Sequence, residues 1–132
     1  MASNSKKPIN SGVKGKRGER QVRDLLIQYD YTARRGRQFS GSPESPDVVS
    51  SFEEIHIESK WVESLNLYRA FEQSEKDAGG KIPTVWHRKN RTPWMITLRA
   101  EDFLKLVQKK RQDREPESIL PALMGVYRLV PQ

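Results

Sequence analysis

Three residues in the stretch SPDVVSSFEEIHIESKWV, positions 45–62, have the types and spacing to do chemistry: Asp47, Glu58 and Lys60. Asp47 follows Pro46 at the head of a short apolar run, and Glu58-Ser59-Lys60 sits inside a second one. Two carboxylates on neighbouring strands suit a Mg²⁺ ion, which binds through one or two protein carboxylates and keeps several waters. An ion held that way makes a water nucleophilic and neutralises charge developing on a phosphodiester. A lysine one pleat along on the same face would orient or deprotonate that water and stabilise the same charge. The structural alternative treats Pro46-Asp47 as an ordinary strand edge and Glu58 with Lys60 as an ion pair on an exposed strand face. Against it, a middle strand flanked by helices does not carry two adjacent charges without cause. In a chain that is 31% charged the bare pattern arises by accident. Strand placement, the shared face and the basic clusters described below give it weight.

The elements that must position these residues follow from periodicity. Residues 1–14, rich in Ser, Asn, Lys and Gly, are expected to form a flexible basic arm, with 15–132 a single domain. From Lys16 to Tyr29, Val22, Leu25, Leu26 and Tyr29 fall at i, i+3, i+4 and i+7, one stripe of an amphipathic helix. Glu19 is expected in its first turn, where the helix dipole favours a carboxylate. Residues 32–46, TARRGRQFSGSPESP, read as a loop or frayed hairpin. DVVSS and IHIESKWV have strand length and composition. In the second, alternation puts His56, Glu58 and Lys60 on one face and Ile55, Ile57, Ser59 and Trp61 on the other.

A helix is expected between Leu65 and Ala78, with Leu67, Ala70, Phe71, Ser74 and Ala78 inward, ended by Gly79-Gly80. PTVWHRK and PWMITLR read as strands joined by the turn KNRT, and a last helix over Glu101–Gln112 turns Phe103, Leu106 and Val107 inward. The apolar tail ILPALMGVYRLV is broken by Pro121 and Gly125. The predicted order is helix, strand, strand, helix, strand, strand, helix. It gives an α/β fold with a central mixed sheet flanked by helices.

Charge narrows the partner. Lys and Arg number 24 against 17 acidic residues, a formal net charge of +7. The basic residues cluster as Lys14, Lys16, Arg17, Arg20 and Arg23; as Arg34, Arg35 and Arg37; as Arg88, Lys89 and Arg91; and as Lys109, Lys110 and Arg111. Clusters spaced along one small domain can fold onto a common phosphate-binding face. A solubilising surface or anionic lipid is the alternative. With no cysteine and only His56 and His87, neither disulfides nor a thiolate or histidine-rich zinc site is expected. The first residues have no apolar signal segment, and no run reaches the ~20 apolar residues that span a bilayer. The expectation is a soluble protein of a reducing, cytoplasmic compartment with no membrane role.

With these residues in place, the chain from about Lys14 to Val107 resembles the PD-(D/E)xK nuclease superfamily, and within it the Hjc-like Holliday junction resolvases of archaea and phages. The resemblance implies a PD-(D/E)xK endonuclease-like core and paired, symmetric cuts in four-way DNA junctions. It implies Mg²⁺, with Mn²⁺ able to substitute, a homodimer, and a bacterial, archaeal or phage-encoded origin. Asp47, Glu58 and Lys60 match the motif position by position, with Ser59 between them contributing its backbone carbonyl to the metal. Glu19 in KGKRGERQVRDLL would join Asp47, Glu58 and Ser59 around the ion. The family's Gly-Ser loop implies a serine at the site, Ser40 or Ser42, with Ser42 taken for the catalytic set. Gln73 in RAFEQSEKDAGG would reach the site from the following helix. Lys14, Lys16, Arg17, Arg20, Arg34, Arg35, Arg37, Arg88, Lys89 and Arg91 are the expected DNA contacts. The tail around Ile119–Val130 and the exposed face of the Leu65–Ala78 helix are the candidates for the dimer contact. Two other readings stand beside this one: a repair, nicking or restriction-type nuclease on the same core, and a non-enzymatic DNA-binding protein whose acidic trio is structural.

Overall fold

A computed structural model of the chain describes residues 11–36 and 46–114. The chain divides into two compact units, one running to Leu98 and one beginning at Arg99. The first unit carries α1 (Ser11–Gln28), β1 (Ala33–Arg35), β2 (Val48–Ser50), β3 (Ile55–Trp61), α2 (Leu67–Asp77), β4 (Ile82–Arg88) and β5 (Met95–Thr97). Its five strands form one sheet in the order β1-β2-β3-β4-β5. Only the β3–β4 pair is parallel, since α2 carries the chain back to the same end of the sheet; β1–β2, β2–β3 and β4–β5 are antiparallel. The expected α/β class with a mixed sheet is what forms.

α1 packs on β1, β2 and β3, and α2 packs on β3 and β4. The pleat of β3 separates their faces. Ser59 and Trp61 lie against Gly18 of α1, whereas Lys60 reaches Gln73 of α2. The strand bearing Glu58 is therefore covered on both sides. Val22 and Leu26 from α1, Val48, Ile55, Ile57 and Val85 from the sheet, and Ala70 from α2 form the small apolar core. Ser74 and Thr84 are buried in it at no hydrogen-bonding loss: Ser74 Oγ donates to the Thr84 carbonyl at 2.9 Å, and Thr84 Oγ1 donates to the His56 carbonyl at 2.7 Å.

Several sequence expectations are corrected. α1 begins at Ser11, so residues 11–14 of the expected arm are helical and Glu19 lies in the third turn. Its placement owes nothing to the helix dipole, whose effect is confined to the first turn. Tyr29 is 67% exposed because the helix stops at Gln28 and Asp30 turns left-handed at φ 69°, carrying Tyr29 off the buried stripe. In the stretch 32–46, expected as a loop or frayed hairpin, Ala33–Arg35 forms an edge strand that pairs antiparallel with Ser50–Val48 beyond it. α2 is shorter than expected: Asn66 Oδ1 caps it by accepting from Arg69 N, and Gly79 leaves it at φ 60°.

In the second unit, α3 (Ala100–Arg114) exposes Phe103 and Val107, two of the three residues expected inward. Its first turn is held by Arg99 Nε donating to Asp102 Oδ2 at 2.8 Å. Among the described residues no helix is long and apolar enough to cross a membrane.

Candidate active site

Asp47 is placed by backbone. Its N–H donates to the Ile57 carbonyl at 3.0 Å, and its own carbonyl accepts from Gly36 N at 3.0 Å. Gly36 packs so closely on Pro46 that a Cβ there would strike the Pro46 carbonyl oxygen, which makes glycine necessary where β1 meets the head of β2. The Asp47 side chain then accepts from Ser59 N at 2.8 Å. One residue thus bonds β3 at positions 57 and 59, on either side of Glu58. Asp47 is buried, at 4% exposed.

Glu58 is completely buried. Its Oε1 lies 3.1 Å from Nε2 of His56, itself 3% exposed, two residues back on the same face of β3. Its Oε2 has no hydrogen-bond partner among the described residues. A buried carboxylate oxygen left without a donor costs on the order of 1–3 kcal/mol or more. Such a group calls for an explanation, a bound ion or water among them. Two anchored carboxylates, one with a bare oxygen, suit a hard divalent ion that takes one or two carboxylates and keeps several waters. The residues present fit Mg²⁺.

Lys60 Nζ donates to Gln73 Oε1 at 3.4 Å, so Gln73 stands beside the lysine on its face of the sheet. Ser59 presents its N–H to Asp47, while its Oγ is buried without a partner. Glu19 does not join this group. Its Oε2 accepts from Arg35 Nε at 2.9 Å in an ion pair with both side chains largely buried. Among the described residues no three Asp, Glu or His side chains gather closely enough to hold a metal between them. Ser42 and Arg37 lie outside the described residues.

The basic residues divide into free and committed ones. Lys16, Arg17 and Arg20 are exposed on α1, Arg34 on β1, and Lys89 and Arg91 on the β4–β5 turn. Arg35 is committed to Glu19. Lys14 and Arg88, from the first and third basic clusters, meet at Trp61. Lys14 Nζ lies 5.3 Å and Arg88 Cζ 4.6 Å from the ring centroid, and Trp94 stands 5.8 Å from the same guanidinium. Gln21 Oε1 accepts from both Arg88 Nη1 at 2.8 Å and Trp94 Nε1 at 3.1 Å, and Trp61 Nε1 donates to Asn90 Oδ1 at 2.8 Å. Arg88 Nε also donates to the Lys89 carbonyl at 3.2 Å, so the guanidinium is held both by hydrogen bonds and by the indoles.

Sequence reasoning missed Trp61, Trp94, Gln21 and Gly36. None shares a local pattern with the acidic motif, and the cluster is assembled from α1, β3, β4 and the turn before β5. His56 did carry a signal, its place on the Glu58 face. His87, at the end of β4, is bonded through Nε2 to Thr97 Oγ1 at 2.9 Å, and burial lowers its pKa.

No family model and no curated protein matches the chain. Among solved structures it is similar to Hjc of Archaeoglobus fulgidus, a Holliday junction resolvase from an archaeal hyperthermophile. Identity is 22%, the match covers 62% of this chain and 73% of that one, and the TM-score is 0.44.

Proposed function

We propose that the protein is a Mg²⁺-dependent endonuclease that cuts branched DNA, four-way junctions foremost, with Mn²⁺ able to replace Mg²⁺. The observation that carries this reading is the fully buried Glu58, with one oxygen lacking any donor, beside an Asp47 anchored on both sides of it. Asp47 and Glu58 would hold the ion, with the Ser59 carbonyl as a further oxygen. The ion, when bound, supplies a water acidic enough to attack phosphorus and a positive charge for the scissile phosphate. Lys60, with Gln73 beside its Nζ, orients the attacking water and meets the negative charge that grows on the phosphate oxygens. Glu19 is held to Arg35 through Oε2 and takes no part in this group.

The exposed cations on α1 and the β4–β5 turn, with Arg88 and Lys14 stacked at Trp61, form the DNA surface. Lys60 is adjacent to Trp61 on β3 and pairs with His87 in the parallel register, while Trp61 pairs with Arg88. Trp61 and Arg88 face α1 and Lys60 faces α2, so the two regions lie at neighbouring positions on opposite faces of β3. Such contacts read backbone position and shape, not base sequence. A four-way junction has near two-fold symmetry, and two symmetric cuts call for two copies of the site. Tyr68, 84% exposed on α2, lies on the helix expected to meet the second copy, whereas the candidate tail at Ile119–Val130 lies outside the described residues.

The test is cleavage of a labelled four-way junction beside a matched linear duplex, with Mg²⁺ and with EDTA, by the wild type and by Asp47→Asn. Paired, symmetric, metal-dependent cuts in the junction alone are expected from the wild type and none from the variant. Equal cutting of the duplex would keep a nuclease and discard junction selectivity. Tight binding without cutting under any divalent ion would leave only a DNA-binding protein.

A further inference from the structure

We infer that His56 is a positioning residue for Glu58: its Nε2–H holds Oε1, and so turns Oε2 alone toward the cation. The inference rests on the proposed function, because it assigns a role within the same metal site. A terminal carboxylate torsion is broad and roughly two-fold, so an unrestrained glutamate presents either oxygen or both. Here one oxygen is 3.1 Å from an imidazole nitrogen and the other has no partner among the described residues. A carboxylate acting as ligand carries no proton, so the imidazole must be the donor and the hydrogen must sit on Nε2.

The imidazole is buried, and the backbone that carries it is fixed. His56 is 3% exposed, and its backbone is strapped to β4 by Thr84 Oγ1 donating to its carbonyl at 2.7 Å. Thr84 is strapped in turn: its carbonyl accepts from Ser74 Oγ of α2 at 2.9 Å, and its hydroxyl accepts from Trp86 Nε1 at 3.1 Å. A chain of bonds from α2 through β4 therefore ends on one oxygen of Glu58. The alternation of β3 makes this possible, since residues two apart share a face and stand about 7 Å apart along the strand. A glutamate with one oxygen already accepting a hydrogen bond presents the other, unpartnered oxygen first to a cation. That suits an ion that keeps most of its waters, one of which is the nucleophile.

The experiment is calorimetric titration of the full chain with Mn²⁺, without DNA, for the wild type, His56→Gln and His56→Phe, with the melting temperature of each recorded. Glutamine keeps a donor near the position of Nε2, whereas phenylalanine keeps the ring and removes the donor. Loss of a residue that orients a metal ligand weakens metal affinity roughly 10- to 100-fold, and that loss is expected for His56→Phe with recovery in His56→Gln. A folded His56→Phe that binds Mn²⁺ as the wild type does would overturn the role of His56. Wild type that binds no Mn²⁺ would instead overturn the metal site itself.

Should His56→Phe fail to fold, the side-chain ¹⁵N spectrum of wild-type His56 decides. The proton is expected on Nε2, with a resonance that moves when Mg²⁺ is added. A proton on Nδ1, or a signal indifferent to Mg²⁺, would overturn the inference.

Discussion

The middle of β3 and its C-terminal end treat polar groups in opposite ways. At Glu58 a carboxylate is removed from water and one of its oxygens is left without a donor. Three residues on, at Trp61, each indole N–H of the cluster has an acceptor, and two cations lie near one ring. The end of the strand is arranged as a structure that happens to be positive. Its middle buries a carboxylate with one oxygen unpartnered among the described residues, at a cost to the fold. Under the proposed function the cation site is the region with an unpartnered oxygen and the phosphate surface the region whose polar groups are already paired.

Variants on the two regions should therefore fail differently. Asp47→Asn is expected to lower cleavage on the order of a thousandfold or more, at or beyond the 10²–10³ lost with a single electrostatic stabiliser. Its junction affinity in EDTA, measured by gel shift, should stay within about twofold of the wild type. Parallel loss of both would merge the two regions into one and break the contrast.

Gly36→Ala comes next. A Cβ at position 36 must displace Pro46, and with it the backbone that aims Asp47. A misplacement of about 1 Å costs up to roughly a hundredfold in rate, so single-turnover cleavage should fall by tens of fold with affinity preserved. An unchanged rate would show that the β1–β2 junction does not aim the carboxylate.

Arg88→Ala should act on binding. Loss of one phosphate contact is expected to weaken DNA association about tenfold and to reduce the slope of log affinity against log salt by about one. The rate of the bound complex should hardly move. A variant with the wild-type slope would make the Trp61 cluster a purely internal clamp between α1 and β4.

The smallest effect is a pH dependence. Burial lowers the pKa of His87 below its ordinary 6.5, so the unfolded chain binds the proton more readily than the folded one. Stability is accordingly full above pH 6.5 and declines as pH falls from there toward the lowered folded value. The melting temperature between pH 7.5 and about 5.5 should drop less in His87→Gln than in the wild type. An equal drop would assign the acid sensitivity elsewhere.

The acidic motif was legible because strand alternation is a local signal: charges at 58 and 60 among apolar neighbours mark one face of one strand. The helices at α1 and α2 were legible through stripes whose buried members are Val22 and Leu26, and Ala70 and Ser74. β1 was not, since Ala-Arg-Arg has no apolar alternation and is a strand only by pairing with β2. The partner of Glu19 was hidden for a related reason. Its ion pair with Arg35 is made by the packing of α1 on β1, which no spacing within either segment announces. The same holds for Arg88, whose neighbours Gln21, Trp61 and Trp94 come from three separate segments.

The central claim is that Asp47 and Glu58 are buried together in order to take a divalent cation. Thermal unfolding of the wild type, Asp47→Asn and Glu58→Gln, each in EDTA and in a series of Mn²⁺ concentrations, tests it without DNA or turnover. A ligand at ten times its dissociation constant stabilises the folded state by about 1.4 kcal/mol, a shift of several degrees for a domain of this size. The account predicts that shift in the wild type, growing with Mn²⁺, and its absence in both variants. A wild type indifferent to Mn²⁺, or equal shifts in all three proteins, would contradict it.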